Sequence, residues 1–294
     1  MTQITILGGS GFLGSALSDL VSKKKINKII IFDTNKKTNL LPNQKFIKGN
    51  ILNDKKLYKA IKGSKYVFNF AALADLEDAK NKPLETAMIN IIGIIKILKA
   101  CKKFNVRKII QASTIYANSE QGGFYGASKK AAEDYIERFS RKYNLKYTIL
   151  RFGSLYGEGA GKNNGINLII DYALKKNILR YKGKKIAARK YIHVLDACEA
   201  CSRAMKSQFD NKYLNITGNK KIKITKLLGI LSKTLGITKN KIIFSNKQNE
   251  GHYTSEPKKF IPRQGLNLYL KKNRDFKKAL FKQFLERKRM SKKW

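Results

Sequence analysis

"ITILGGSGFLGSAL", residues 4–17, sets three glycines, Gly8, Gly11 and Gly14, between a short apolar run and an amphipathic segment. The run reads as a strand and the segment as a helix, so the glycines fall in the joining turn. Each glycine has its own reason: a tight turn, close approach of backbone to a pyrophosphate, and close packing of helix on strand. The amides that open the helix, from Phe12 and Leu13 onward, have no partner within it and would hold phosphate with help from the helix dipole. The next apolar run, "KIIIFD", ends at Asp33, nineteen residues after Gly14. A carboxylate there would accept hydrogen bonds from the adenosine ribose and repel a 2′-phosphate, which selects NAD over NADP. Lys36 and Lys37 follow closely and would soften that selection. The competing reading makes Asp33 a turn residue before Thr34 and Asn35.

Outward from this unit, "KFIKGN", "YVFNFAA", "KIIQAS" and "KYTILRF" read as further strands. Amphipathic stretches lie between the strands at 13–23, 54–62, 83–104 and 124–143. This alternation predicts an α/β fold: a Rossmann-type, doubly wound parallel sheet covered by helices on both faces. Residues 1–154 form the NAD-binding domain, with about 186–215 returning to it. Residues 155–185 and 216–294, where the alternation breaks down, form a smaller substrate-binding lobe. No internal repeat is visible.

The 294 residues carry a formal charge of +42, from 62 Lys+Arg against 20 Asp+Glu. One reading is a compositional bias toward Lys, Asn and Ile across the chain. A second is attraction of an anionic small substrate into a positive cleft. A third is nucleic acid or an anionic membrane surface. The spread of the cations and the preference for Lys over Arg argue against nucleic acid. Only "RKRMSKKW" at the end reads as a basic patch, and a solvated terminus accounts for it. No secretory signal pattern opens the chain, and the most apolar stretch, "MINIIGIIKILKAC", is too short and too polar to span a bilayer. A cytoplasmic protein without membrane insertion is expected. Cys198 and Cys201 form a C-x-x-C within "DACEACSRAM", a helical pattern that points both sulfurs at the core. With only His193 and His252 besides the three cysteines, no metal site is expected. His193 reads as structural.

"GGFYGASKK", residues 122–130, places Tyr125 and Lys129 on one face of a helix. The same spacing recurs at Tyr58/Lys62, Tyr172/Lys176 and Tyr181/Lys185, so spacing alone does not single out a site. The surrounding motifs do. Together with "GGSGFLG", the stretches "GNILND", "FNFAALA", "NIIG", "ASTIY", "YGASK", "RFGSLYG" and "RKYIHVLD" resemble the extended short-chain dehydrogenase/reductase family, in particular its NAD-dependent nucleotide-sugar epimerases and dehydratases. The likeness runs from residue 1 to about 218.

The resemblance implies that Tyr125 is the catalytic base and Lys129 its partner, which also hydrogen-bonds the nicotinamide ribose. A phenol titrating near ~10 is a poor base at neutral pH, and positive charge from Lys129 and the oxidised nicotinamide would favour the phenolate. The family's third hydroxyl falls at Thr114, with Ser113 as the alternative. Asn50, Ile51, Phe70, Ala71, Ala72, Asn90 and Phe152 match cofactor-contacting positions, with Asn50 in place of the usual Asp. Ser154, Asn167, Leu168 and Arg189 match positions that hold the nucleotide sugar, Ser154 replacing the usual Asn. In 4,6-dehydratases of the family, Asp-Glu follows the threonine; here Ile115 and Tyr116 follow. Epimerisation needs neither acid, so the resemblance implies an epimerase serving polysaccharide biosynthesis, with a dehydratase or net oxidoreductase as alternatives and a nucleic-acid-binding scaffold more distant. The stretch from Thr114 to Tyr125 is shorter than is usual. Helices over 83–104 and 124–143 resemble those that pair into a dimer interface, so a homodimer is expected.

Overall fold

The computed structural model describes residues 2–23, 27–245, 265–268 and 274–291. In chain order it builds β1 (Thr2–Leu7), α1 (Phe12–Ser22), β2 (Asn27–Asp33), β3 (Gln44–Lys48), α2 (Asp54–Ile61), β4 (Tyr66–Asn69), α3 (Leu76–Asn81) and α4 (Pro83–Ala87). A π-turn at Met88–Ile92 leads into α5 (Gly93–Lys103), followed by β5 (Lys108–Thr114), α6 (Gly123–Tyr143), β6 (Lys146–Phe152) and β7 (Ser154–Tyr156). Then come α7 (Gly165–Lys176), β8 (Leu179–Lys182), β9 (Ala188–His193), α8 (Val194–Arg203), β10 (Lys212–Ile216) and β11 (Lys221–Lys223). The last described elements are α9 (Ile224–Leu235), β12 (Ile242–Ser245), β13 (Leu266–Asn267) and α10 (Phe276–Ser291).

Eight strands form one parallel sheet in the order β13-β10-β6-β5-β4-β1-β2-β3. This is the doubly wound α/β architecture, and the chain reverses direction across the sheet between β1 and β4. Successive residues of a strand face opposite sides, and both sides are apolar here. Ile4, Ile6, Ile29 and Ile31 meet Leu13, Leu17 and Val21 of α1 and Ala197, Cys198 and Cys201 of α8. On the other face Leu7, Ile30, Phe32 and Val67 meet Leu57 of α2, Ile94 and Ile97 of α5, and Ala132 and Ile136 of α6. Burial pushes the Cys198 thiol up to about 12 and the Cys201 thiol well above its ordinary value, so both sulfurs act as core groups.

A third core joins Tyr156, Ile166, Ile170 and Leu179 to Leu227, Leu231, Leu280 and Phe284. It draws on α7, α9 and α10, whereas the first two cores belong to the large sheet. The 83–104 segment, read as one helix from its sequence, is interrupted by the π-turn, which widens the helix where Asn90 stands. No helix among the described residues is long and apolar enough to cross a membrane.

Two glycine substitutions on helices should act in opposite directions. A Cβ on Gly14 would stand 2.1 Å from the Gly8 carbonyl oxygen, whereas one on Gly229 in α9 meets nothing within 4 Å. Thermal melts should show Gly14→Ala destabilised by about 1–3 kcal/mol from overpacking, and Gly229→Ala stabilised by up to about 1 kcal/mol from helix propensity.

Candidate active site

The carboxyl ends of β1, β4, β5 and β6 lie side by side, with Leu7 opposite Asn69, Asn69 opposite Gln111, and Thr114 opposite Phe152. Ligands of such sheets bind at this edge, where the strand order reverses. Gly8 has φ +75°, and a Cβ on it would come within 2.5 Å of the Ala71 amide nitrogen. Any side chain at Gly8 or Gly14 would therefore strike backbone, and the turn stays open to a ligand. The N-terminus of α1, at Phe12, Leu13 and Gly14, faces this turn with its first amides unused by the helix.

Asp33 closes the same turn. Its Oδ2 accepts from the Ser10 amide at 3.0 Å, and its Oδ1 accepts from the Asn35 amide at 3.0 Å. Both the turn reading and the ribose reading place it here, and the two are compatible because a carboxylate accepts several hydrogen bonds. Lys37 departs from expectation. It is buried and donates to Ser18 Oγ at 2.7 Å and to Asp19 Oδ1 at 2.5 Å. Its charge is thus engaged on α1 rather than offered to a 2′-phosphate. Glycines closed to side chains, opening amides of a helix and a carboxylate at the second strand's end suit the diphosphate and ribose of NAD.

The other cofactor candidates surround that turn. Phe70, Ala71 and Ala72 follow β4 and are half-buried. Asn50 is exposed and its Oδ1 accepts from the Leu52 amide at 2.9 Å, while Ile51 is buried against Gly93. Asn90 accepts from the Leu73 amide at 2.9 Å and donates to the Leu73 carbonyl at 3.0 Å and to Ser128 Oγ at 2.9 Å. Its amide fastens the loop after β4 to α6, a role that the sequence did not suggest. Phe152 is buried at the end of β6.

Thr114 ends β5, and its hydroxyl faces Tyr125 on the first turn of α6, near enough to favour the phenolate. Lys129, one turn further, is buried, donates to the Ala112 carbonyl at 3.1 Å and stands 5.7 Å from the Tyr125 ring centre. Ser113 points the other way, as adjacent strand residues must. Its hydroxyl donates to Glu133 Oε1 at 2.6 Å. The Ser113 hydroxyl is thus engaged by Glu133, and Thr114 is the hydroxyl on the Tyr125 side.

Burial pushes the Tyr125 phenol up to about 12, against the opposing pull of the Thr114 hydroxyl. Burial also draws Lys129 down from 10.5 to about 8, with Glu133 resisting. Glu133 and Arg151 form a buried ion pair beside them, Nη2 to Oε2 at 2.6 Å and Nε to Oε1 at 3.0 Å. Sequence reasoning missed this pair. The available signal was Arg151 itself, a cation inside the apolar run "YTILRF", which requires a buried partner.

The nucleotide-sugar candidates separate. Arg189 on β9 and Ser154 on β7 are half-buried, and Leu168 is 56% exposed. The Asn167 side chain is fully buried, donating to the Ala160 and Gly161 carbonyls at 2.8 and 3.1 Å and accepting from Gln283 Nε2 at 2.5 Å. Gln283 also accepts from the Gly157 amide at 3.0 Å, and Glu286 from the Gly159 amide at 3.0 Å. Helix α10 thereby fixes the loop whose Gly159 lies next to Phe12 of the glycine turn. His193 is buried and caps α8, its Nδ1 accepting from the Leu195 amide at 3.3 Å. Among the described residues no group of three or more His, Cys, Asp or Glu side chains is placed to hold a metal.

The model of the NAD dependent epimerase/dehydratase family matches residues 4–217. The chain belongs to that family. A Methanocaldococcus jannaschii protein provisionally named UDP-glucose 4-epimerase is 28% identical over 269 residues, covering 84% of this chain and 87% of the relative. An uncharacterized UDP-glucose epimerase of Bacillus subtilis is 24% identical over 272 residues, covering 83% and 85%. The fold matches a UDP-N-acetylglucosamine 4-epimerase of Methanobrevibacter ruminantium, solved with UDP-N-acetylmuramic acid, with a TM-score of 0.83, 22% identity and 99% coverage of each chain. It also matches a UDP-glucose 4-epimerase of Thermotoga maritima, solved with UDP-glucose, with a TM-score of 0.81, 23% identity and coverage of 99% and 100%.

The depressed Lys129 pKa has a consequence for stability. Below pH 8 the lysine is charged in both folded and unfolded chains, and the fold carries its desolvation cost. Between about 8 and 10.5 the unfolded chain holds the proton that the folded one has released, so this cost fades as pH rises. Lys129→Met should therefore be more stable than the native protein at pH 7, by up to ~3 kcal/mol less what the Ala112 bond contributes. Denaturant melts at pH 7 and 9.5 should show that advantage shrinking at the higher pH.

Proposed function

We propose that the protein interconverts epimers of a nucleotide sugar, oxidising one hydroxyl-bearing carbon to a ketone and reducing it again. The observation that carries this reading is the Thr114–Tyr125–Lys129 cluster beside the glycine cradle, followed by Ile115 and Tyr116 rather than by two acids. When bound, NAD would supply the hydride acceptor and donor for the sugar carbon, and a positive charge beside that of Lys129. Tyr125 Oη removes the proton of the sugar hydroxyl as that carbon is oxidised. Thr114 Oγ1 bridges the sugar oxygen and Tyr125, which keeps the proton's path short. Lys129 holds the phenolate by its charge, which burial makes effective at close range. On re-reduction Tyr125 Oη gives the proton back. Inversion requires the ketone to turn its other face to the cofactor, so the sugar pocket must hold the nucleotide more firmly than the sugar.

For the nucleotide we assign Arg189 to the diphosphate, where a planar guanidinium meets phosphate with two hydrogen bonds, with Ser154 and Leu168 toward the sugar. Asp33, Asn50, Ile51, Phe70, Ala71, Ala72, Asn90 and Phe152 surround the dinucleotide. The substrate lobe comprises 155–185 and 216–294, part of which lies outside the described residues. The UDP-sugar epimerases among the relatives support a UDP-sugar as substrate and the cytoplasm, where such sugars feed polysaccharide synthesis, as the setting. The homodimer has its own support: Leu84, Met88 and Ile92 form a stripe 76%, 42% and 38% exposed, and Tyr135 of α6 is 42% exposed.

Two experiments test this. With UDP-sugars as substrates, Tyr125→Phe should lower turnover by about 10²-fold or more, and Thr114→Val should fall well below Ser113→Ala. Unchanged turnover in Tyr125→Phe would refute the mechanism, and stoichiometric NADH with released ketone would select a net oxidoreductase. In sedimentation, the native protein should run as a dimer at micromolar concentration and Met88→Glu should shift it toward monomer; a native monomer would refute the interface.

A further inference from the structure

We propose that Glu133 is a positioning residue for the Tyr125–Lys129 pair: its carboxylate, fixed by Arg151 and Ser113, keeps Lys129 cationic and locks α6 against the two strands beneath it. This rests on the reading of Tyr125 and Lys129 given above.

Tyr125, Lys129 and Glu133 succeed one another at single turns of α6. Glu133 is 1% exposed, Arg151 2% and Lys129 4%. Three hydrogen bonds hold the carboxylate: Oε1 accepts from Ser113 Oγ at 2.6 Å and Arg151 Nε at 3.0 Å, and Oε2 accepts from Arg151 Nη2 at 2.6 Å. Ser113 and Arg151 are themselves register partners on β5 and β6. The residue after Ser113 is Thr114, so the bond that fixes Ser113 also fixes the strand end from which Thr114 reaches Tyr125. Arg151 continues the clamp, its guanidinium 4.5 Å from the Tyr213 ring centre, while the Tyr213 hydroxyl donates to Glu137 at 2.6 Å, one more turn along α6.

Stability alone does not call for this arrangement. A buried ion pair is often replaceable by apolar residues of similar volume without loss. Apolar residues, however, supply no negative charge one turn from Lys129. The charged and titratable groups facing Lys129 are Tyr125 and Glu133 from its own helix and, behind the carboxylate, Arg151 from β6; β5 offers the Ala112 carbonyl and the Thr114 hydroxyl. Glu133 is thus the group that opposes the loss of the Lys129 proton on burial, and that proton is the charge the Tyr125 phenolate depends on.

The test compares native protein, Glu133→Gln, the double variant Glu133→Gln/Arg151→Met, Glu133→Asp and Ser113→Ala, all loaded with NAD. The double variant removes both members of the ion pair, so that Arg151 is not left buried without its carboxylate, and guards against a single variant that does not fold. Two quantities are read: the pH profile of kcat/KM with a UDP-sugar, and the near-ultraviolet titration of Tyr125, taken as the difference from Tyr125→Phe. Both neutral variants should lose about tenfold or more in kcat at pH 7 with KM within a few-fold. Their alkaline limb should move down by about one pH unit, and their Tyr125 should ionise at higher pH. Glu133→Asp should restore part of each change, and Ser113→Ala should leave the limb in place. A lower melting temperature with unmoved limb and unmoved Tyr125 titration would overturn the proposal, as would failure of both neutral variants to fold, since either assigns the pair a structural role. If Tyr125→Phe itself retained turnover, the reading of the site would fail first and independently of Glu133.

Discussion

The backbone contact between the end of β1 and its neighbours constrains everything around it. A Cβ on Gly8 would reach the Ala71 amide at 2.5 Å, and one on Gly14 would reach the Gly8 carbonyl at 2.1 Å. With hydrogen in place of side chains, β1, β4 and α1 close to backbone contact at the point where the strand order reverses. That approach leaves the opening amides of α1 and the Asp33 carboxylate around one shallow turn. It also puts the ends of β5 and β6 beside the turn, so Thr114 and the first turns of α6 are brought to the same edge. The glycine turn and the cluster of Thr114, Tyr125 and Lys129 are thus two results of one packing solution.

The acidic residues explain the unusual charge better than the lysines do. Asp19 pairs with Lys37, Glu133 with Arg151, Asp171 with Arg287, Asp196 with Arg274 and Asp210 with Lys108, each joining separate parts of the chain. Asp33 organises the glycine turn and Asp75 caps α3. In a chain with 20 acids against 62 bases, much of the acid inventory is engaged in holding elements together. The solvent-facing lysines are left with few acidic neighbours, which is how the charge of +42 arises.

The fold was legible because parallel strands buried on both faces leave continuous apolar runs, as in "KIIIFD" and "YVFN". Tyr125 and Lys129 were legible because a helix converts a spacing of four into a shared face. What escaped the sequence depends on distant partners. The orientation of Asn167 is set by Gln283, 116 positions away, and that of Lys37 by Asp19 on α1. Ser113 and Thr114 are indistinguishable in a string of letters; the pleat of β5 separates them, one toward Glu133 and one toward Tyr125. The π-turn that swings Asn90 onto Leu73 and Ser128 likewise leaves no mark in the periodicity of "MINIIG".

The central claim is that a sugar carbon loses and regains its own hydrogen while Tyr125 handles only the hydroxyl proton. The most direct measurement is proton nuclear magnetic resonance of UDP-sugars incubated with the protein in heavy water. The account predicts a mixture of two epimers with no deuterium on any sugar carbon, because hydride is held within the protein between the two half-reactions. Deuterium entering the sugar ring, or loss of water from the sugar, would contradict it.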